Sequence, residues 1–178
     1  MKALVWATID TLSCLLLVVL AAINPPLDPA RAALETYGRY AVVVTWPAGD
    51  NDVDTWYASP DGRRVWFNDP RSNVAHLEQD DLGTRSDTDP KAVNRERVVI
   101  RSILPGEHIV NFHAYGLSQP PVTVKVELWR LQGADRRLYS VRIRLAATGD
   151  ERTAFRFSLD RSGALQNLNR LPASLVTR

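Results

Sequence analysis

Two hydrophobic periods divide this chain. From Ala3 to Ile23 it reads ALVWATIDTLSCLLLVVLAAI, about 20 residues at helical rise, long enough to cross the ~30 Å hydrocarbon core of a bilayer. From Arg39 onward the period drops to two, the alternation of a half-buried strand. Strands are expected at 40–46, 53–58, 64–68, 74–78, 97–103, 108–115, 122–131, 138–145 and 153–159. Turn signals separate them: Ser59-Pro60-Asp61-Gly62, Leu104-Pro105-Gly106 and Ala147-Thr148-Gly149-Asp150. Nine short strands at close spacing predict an all-β antiparallel sandwich. Val122, Val124, Val126 and Leu128 alternate with Lys125 and Glu127, and Val141, Ile143 and Leu145 with Arg142 and Arg144; the charged members are expected to face water. The polar stretch 83–96 is expected to be a long loop.

Between the two periods lies a short connector. Asn24-Pro25-Pro26 stops the first helix, because successive prolines remove donors and force extended geometry on the residue before each. A second helix is expected from Asp28 as N-cap through Pro29 and Ala30 to Tyr37, ended by Gly38, with Ala30, Ala33, Leu34 and Tyr37 on one face. A helix of about ten residues does not hold in water alone, so this face must dock on something. The expected organisation is a transmembrane helix over 1–24, a linker helix over 25–38 and an outer β-sandwich over 39–178.

Asp10 changes the reading of the apolar run. An ionisable side chain in a spanning helix costs on the order of 2.5–3.5 kcal/mol and by default faces a protein interior or a water path. Asp10, Ser13 and Cys14 share a face by i, i+3, i+4 spacing, and Thr8 and Thr11 add polarity beside them. A cleaved signal peptide is the alternative, with Met1-Lys2 as the basic start and Leu20-Ala21-Ala22 as the cleavage region; the acid speaks against it. Lipidation at Cys14 is excluded because the apolar run follows the cysteine. Lys2 places the amino terminus in the cytoplasm and the sandwich outside, which in a Gram-negative bacterium means the periplasm.

Composition narrows the classes further. The 22 basic and 20 acidic residues are interspersed and the net charge is +2, so no nucleic-acid surface is expected. One cysteine excludes an intramolecular disulfide framework and a cysteine-rich zinc site.

The order Ile9-Asp10-x-Leu12-x-x-Leu15-Leu16-x-Val18-x-Leu20-x-Ala22, followed by Asn24-Pro25-Pro26, resembles the single transmembrane helix of the ExbD/TolR/MotB family. The likeness covers about the first 26 residues. It implies a homodimer inside a pentameric ring of MotA/ExbB/TolQ-like membrane subunits, an inner-membrane location, and an ion-carrying role for Asp10 toward protons or sodium. Thr8, Thr11, Ser13 and Cys14 would then line the pore face, and Pro29, Ala33, Leu34 and Tyr37 would belong to a segment resembling the family's channel plug. The protein would be a B-type subunit of a rotary motor, with no enzymatic activity. The outer part departs from the family's usual α/β domains. It resembles instead bacterial β-sandwich domains with an Asp-x-Asp-x-Trp and Asp-Pro-x-Gly-like pattern, here Asp52-Val53-Asp54-Thr55-Trp56 and Ser59-Pro60-Asp61-Gly62, followed by Asp80-Asp81-x-Gly83 and Pro105-Gly106-Glu107. The alternative is a secreted or signal-anchored sandwich that binds carbohydrate or calcium without ion transport.

Other chemistry is sparse. Asp50, Asp52, Asp54, Asp61, Asp80 and Asp81 are candidate oxygen ligands for calcium, although no twelve-residue loop closed by a glutamate is present. His76, His108 and His113 lack metal-ligand spacing and read as sheet residues, and no serine sits in a nucleophile elbow. Trp46, Trp56, Trp66 and Trp129 read as core, with a sugar-binding surface as the alternative for one or two of them.

Overall fold

A computed structural model of the chain describes residues 6, 10–16, 38–83 and 93–176. The chain divides into two compact units, Met1–Thr36 and Tyr37–Arg178. In the first, residues 10–16 are helical, and among the described residues no helix is long and apolar enough to cross a membrane. Thr8, the rest of the apolar run apart from Trp6, and the expected linker helix with Pro29, Ala33, Leu34 and Tyr37 lie outside the described residues.

The second unit is an antiparallel β-sandwich. Its strands are β1 (Tyr40–Trp46), β2 (Asn51–Ala58), β3 (Arg64–Val65), β4 (Ala75–Gln79), β5 (Asn94–Ile100), β6 (Gly106–Leu117), β7 (Val122–Arg130), β8 (Arg136–Leu145), β9 (Glu151–Leu159) and β10 (Leu165–Asn169). One sheet has the order β4-β5-β1-β7-β8 and the other β10-β9-β6-β2-β3. Their inner faces share one core. Val42, Val44, Val98, Ile100, Val126 and Leu128 of the first sheet meet Val53, Tyr57, Val110, Phe112, Phe155 and Phe157 of the second, all of them fully buried. Strand alternation produces this directly, since every second residue points to the same face and the apolar members occupy the inner one.

Four expectations are corrected. The run 94–96, expected as loop, begins β5, which pairs with β1 from Trp46↔Asn94 to Tyr40↔Ile100 and stops there instead of continuing to 103. Pairing with the whole of β1 outweighs the polar composition of the segment. The strand expected over 64–68 is only Arg64–Val65, because β3 pairs with β2 at Tyr57 and Ala58 alone and the chain then turns through the Trp66↔Asp69 bridge. A tenth strand, β10, lies beside β9; its register breaks between Gln166 and Asn169, where Asn167 takes φ +49, so its alternation is poor. Glu127, expected in water, is buried: Lys125 Nζ at 2.7 Å and Arg137 Nη1 at 2.9 Å cover it.

One corner of the sandwich positions the candidate site. Because β3 meets β2 only at Tyr57 and Ala58, among the described residues no strand pairs with the first half of β2 on that side. The end of β4 and the start of β5 approach this gap. Gly83 makes the approach feasible: at φ +78 it lies so close to β2 that a Cβ would stand 3.0 Å from Asn51 O and 3.2 Å from Gly49 O. Asn94 fastens the other side, its Nδ2 donating to Gly49 O (3.0 Å) and Pro47 O (3.3 Å).

Candidate functional site

The acids that the sequence singles out fall in both units. In the first unit Asp10, Thr11, Ser13 and Cys14 lie on the helical segment 10–16 and are exposed, as are Leu12, Leu15, Leu16 and Trp6. The described helix therefore presents both the acid and its apolar neighbours outward.

In the second unit the open corner gathers three carboxylates. Glu96 faces inward because its register partner on β1 is Val44, one of the core valines, and this turns a polar residue into the interior. From there it reaches the uncovered edge of β2, where Thr55 N donates to its Oε2 at 2.7 Å. Asp54 stands next to Thr55 on β2, and Asp80 follows β4. One ligand oxygen from each of Asp54, Asp80 and Glu96 lies within 4.8 Å of the other two. Asp80 is exposed, whereas Asp54 and Glu96 are 3 % and 1 % exposed. Among the described residues no lysine or arginine pairs with any of the three, and the His113 ring stands with Nδ1 3.6 Å from Asp54 Oδ2.

Crowded, dry carboxylates resist ionisation. Burial pushes the Asp54 carboxyl from its ordinary 3.8 up to about 7, and the charges of Asp52 and Asp80 add to the rise. Burial likewise pushes Glu96 well above the usual carboxylate range, with Asp80 and Asp54 working in the same direction and the Thr55 amide against it. Glu96 Oε1 and Asp54 Oδ2 are buried without a hydrogen-bond partner among the described residues.

The other acids expected as ligands are placed differently. Asp61 closes its own turn, accepting from Ser59 Oγ (2.5 Å) and Arg63 N (3.2 Å). Asp81 bridges two strand ends, its Oδ1 accepting from Gly83 N (2.9 Å) and its Oδ2 from Arg95 N (2.7 Å). Asp50 and Asp52 line a shallow groove with Leu82, Tyr115 and Ser118, and Asp52 lies close enough to Asp54 to act on its charge. The structure thus brings Asp54 and Asp80 together, keeps Asp52 near them, and engages Asp61 and Asp81 in turns. Sequence reasoning missed Glu96, since it falls in the segment expected to be loop. The signal available was the alternation Asn94-x-Glu96-x-Val98-x-Ile100, continuous with the apolar face of the strand.

The histidines and tryptophans lie on or beside strands. His108 is fully buried between Phe157, stacked on it at 4.9 Å, and Tyr57. Its Nε2 donates to Leu104 O (2.9 Å), so Nδ1 accepts from the Tyr57 hydroxyl (2.7 Å); burial keeps the ring neutral by lowering its pKa. Trp46 and Trp56 are buried, while Trp66 and Trp129 are half-buried. Trp56 stacks on Trp66 at 4.2 Å, and a row of ring contacts continues through Phe67 to Tyr115, which is 60 % exposed.

Compared with known proteins, the chain matches no family profile, no curated protein and no solved structure.

Proposed function

We propose that the chain is the single-helix, ion-coupling subunit of a rotary motor in a bacterial inner membrane, with the β-sandwich as its outer domain. The observation that carries this reading is Asp10 inside an apolar run from Ala3 to Ile23. A carboxylate held in low dielectric alternates between neutral and charged forms as its surroundings change, which is what ion-driven movement requires. One proton moving down the membrane potential releases about 2.3 kcal/mol per 100 mV, several times thermal energy. The exposed Leu12, Leu15 and Leu16 beside the acid support the reading, since apolar side chains on a helix need lipid or partner helices to cover them. In this role the partners are a MotA/ExbB/TolQ-like ring and a second copy of the chain.

Asp10→Asn tests it. The variant keeps shape and hydrogen bonding but cannot ionise. A tagged chain extracted from membranes should co-purify with a multi-helix partner in parent and variant alike. Reconstituted in vesicles, only the parent complex should pass protons or sodium. Equal flux in the two, or extraction of a chain lacking the residues up to Ala22, overturns the motor reading. The second outcome would establish the alternative, a secreted sandwich that acts as a binding module; the carboxylate corner is the observation that favours it.

A further inference from the structure

We propose that Asp54, Asp80 and Glu96 form a calcium site at the open corner of the sandwich. Their three ligand oxygens lie within 4.8 Å of one another. Oxygens on opposite sides of a calcium ion, each at 2.3–2.6 Å from it, stand about 4.6–5.2 Å apart, so the three fit on one coordination sphere. An all-oxygen donor set of carboxylates selects hard cations over zinc or copper, and a magnesium sphere, at most about 4.2 Å across, is tighter than a calcium one.

A second, independent observation points to a ligand. Glu96 is 1 % exposed and is held by Thr55 N through Oε2, while Oε1 is buried with no N–H or hydroxyl donor of the described residues on it, the side chain's other hydrogen bond being a proton shared with the Asp80 carboxyl. A buried polar atom without a partner is rare in native proteins and asks for something to satisfy it. Protein donors are not at hand: among the described residues no lysine or arginine pairs with the three acids. A divalent cation supplies in one step a partner for the buried carboxylate oxygens and the counter-charge that Glu96 and Asp80 lack. Asp80, exposed at the mouth, gives the ion a route in from solvent.

The geometry also says what the ion does. Asp54 belongs to β2 in one sheet, Glu96 to β5 in the other, and Asp80 follows β4. Calcium therefore ties the two sheets beside the half of β2 that, among the described residues, β3 does not reach. This role is independent of the motor proposal, and loss of either leaves the other standing.

The test uses the full-length chain in detergent at pH 8, stripped with EDTA. Equilibrium dialysis against calcium should give one ion per chain with a Kd on the order of 10⁻⁴ M or tighter, and the melting temperature should rise with calcium concentration by mass action. Magnesium at the same concentration should give a smaller rise. Glu96→Gln, near-identical in shape, should abolish both signals. Asp80→Asn, at an exposed position, should leave the metal-free protein folded, with a melting temperature no lower than the parent's, and weaken calcium about tenfold or more. An absence of binding by the parent at millimolar calcium overturns the site, and so does binding that neither substitution changes.

Discussion

Glu151 and Glu96 are acids of one β-sandwich in opposite surroundings. Glu151, at the start of β9, collects four donors: Asn111 Nδ2 (2.6 Å), Leu175 N (2.6 Å) and Val176 N (3.2 Å) on Oε1, and Ser174 Oγ (2.7 Å) on Oε2. Burial works against its charge, but these hydrogen bonds outweigh burial and lower its pKa below the ordinary 4.5. It is a latch that holds the C-terminal segment, with Leu175 seated against Trp56 and Ala58. Among the described residues Glu96 has one backbone donor, on Oε2, and otherwise carboxylates for neighbours, Asp80 hydrogen-bonding to it only through a shared proton, and its pKa is driven the other way. Charge surrounded by donors is structure; charge surrounded by charge is a place that lacks a component. The contrast separates a part of the fold that is complete from one that is completed by a ligand.

The largest effect should come from opening the latch. Glu151→Ala removes the acceptor for four donors and should cost about 1–3 kcal/mol, the lower part of the range because the carboxylate is half open to water. Urea unfolding should record this, limited proteolysis should cut after Arg170, and calcium should stabilise the variant as it does the parent.

The matching change at the other acid should have the opposite sign. Without metal at pH 8, Glu96→Gln removes a carboxyl whose pKa folding raises, a group that costs stability at any pH above its unfolded value, and stability should rise by about 1 kcal/mol. At pH 4, below the ordinary value of a glutamate, Glu96 holds its proton folded or unfolded and the two proteins should unfold alike. A loss of stability at pH 8 would mean that Glu96 is a satisfied structural acid like Glu151.

The metal-free parent should therefore show two pH limbs. Glu151, with its pKa lowered on folding, contributes stability above about 4.5 that is lost as the pH falls through its folded value. Asp54, raised from 3.8 to about 7, contributes stability that is fully present below 3.8 and lost as the pH climbs through about 7. Melting curves in EDTA from pH 3 to 9 should show a maximum between the limbs, and Asp54→Asn should flatten the alkaline one. A smaller effect is expected of Asp61→Asn. It loosens the Ser59–Arg63 turn without touching the corner, so calcium binding should be unchanged.

Much of the architecture was legible before any coordinates. Period-two alternation marked β1 to its ends and the bodies of β2, β4, β6, β7, β8 and β9, because alternation is a local property that the pleat converts directly into an inner and an outer face. The segments that failed are those whose structure depends on a distant partner. β10 exists because β9 offers an edge, β3 ends where β2 stops pairing, and β5 begins early because β1 extends opposite it.

The site divides along the same line. By itself the sequence determined that acids cluster at turn-like positions after Asp50 and near Asp80, and that Asp10 stands in an apolar run; both are statements about neighbours in the chain. Only the tertiary structure decided which acids meet. Register against Val44 turns Glu96 inward, the short β3 leaves Thr55 N uncovered to receive it, and sheet packing brings β2 within reach of a residue 41 positions away. Composition is indifferent to such a meeting, since a carboxylate's pKa and ligand capacity follow from what packs around it in space.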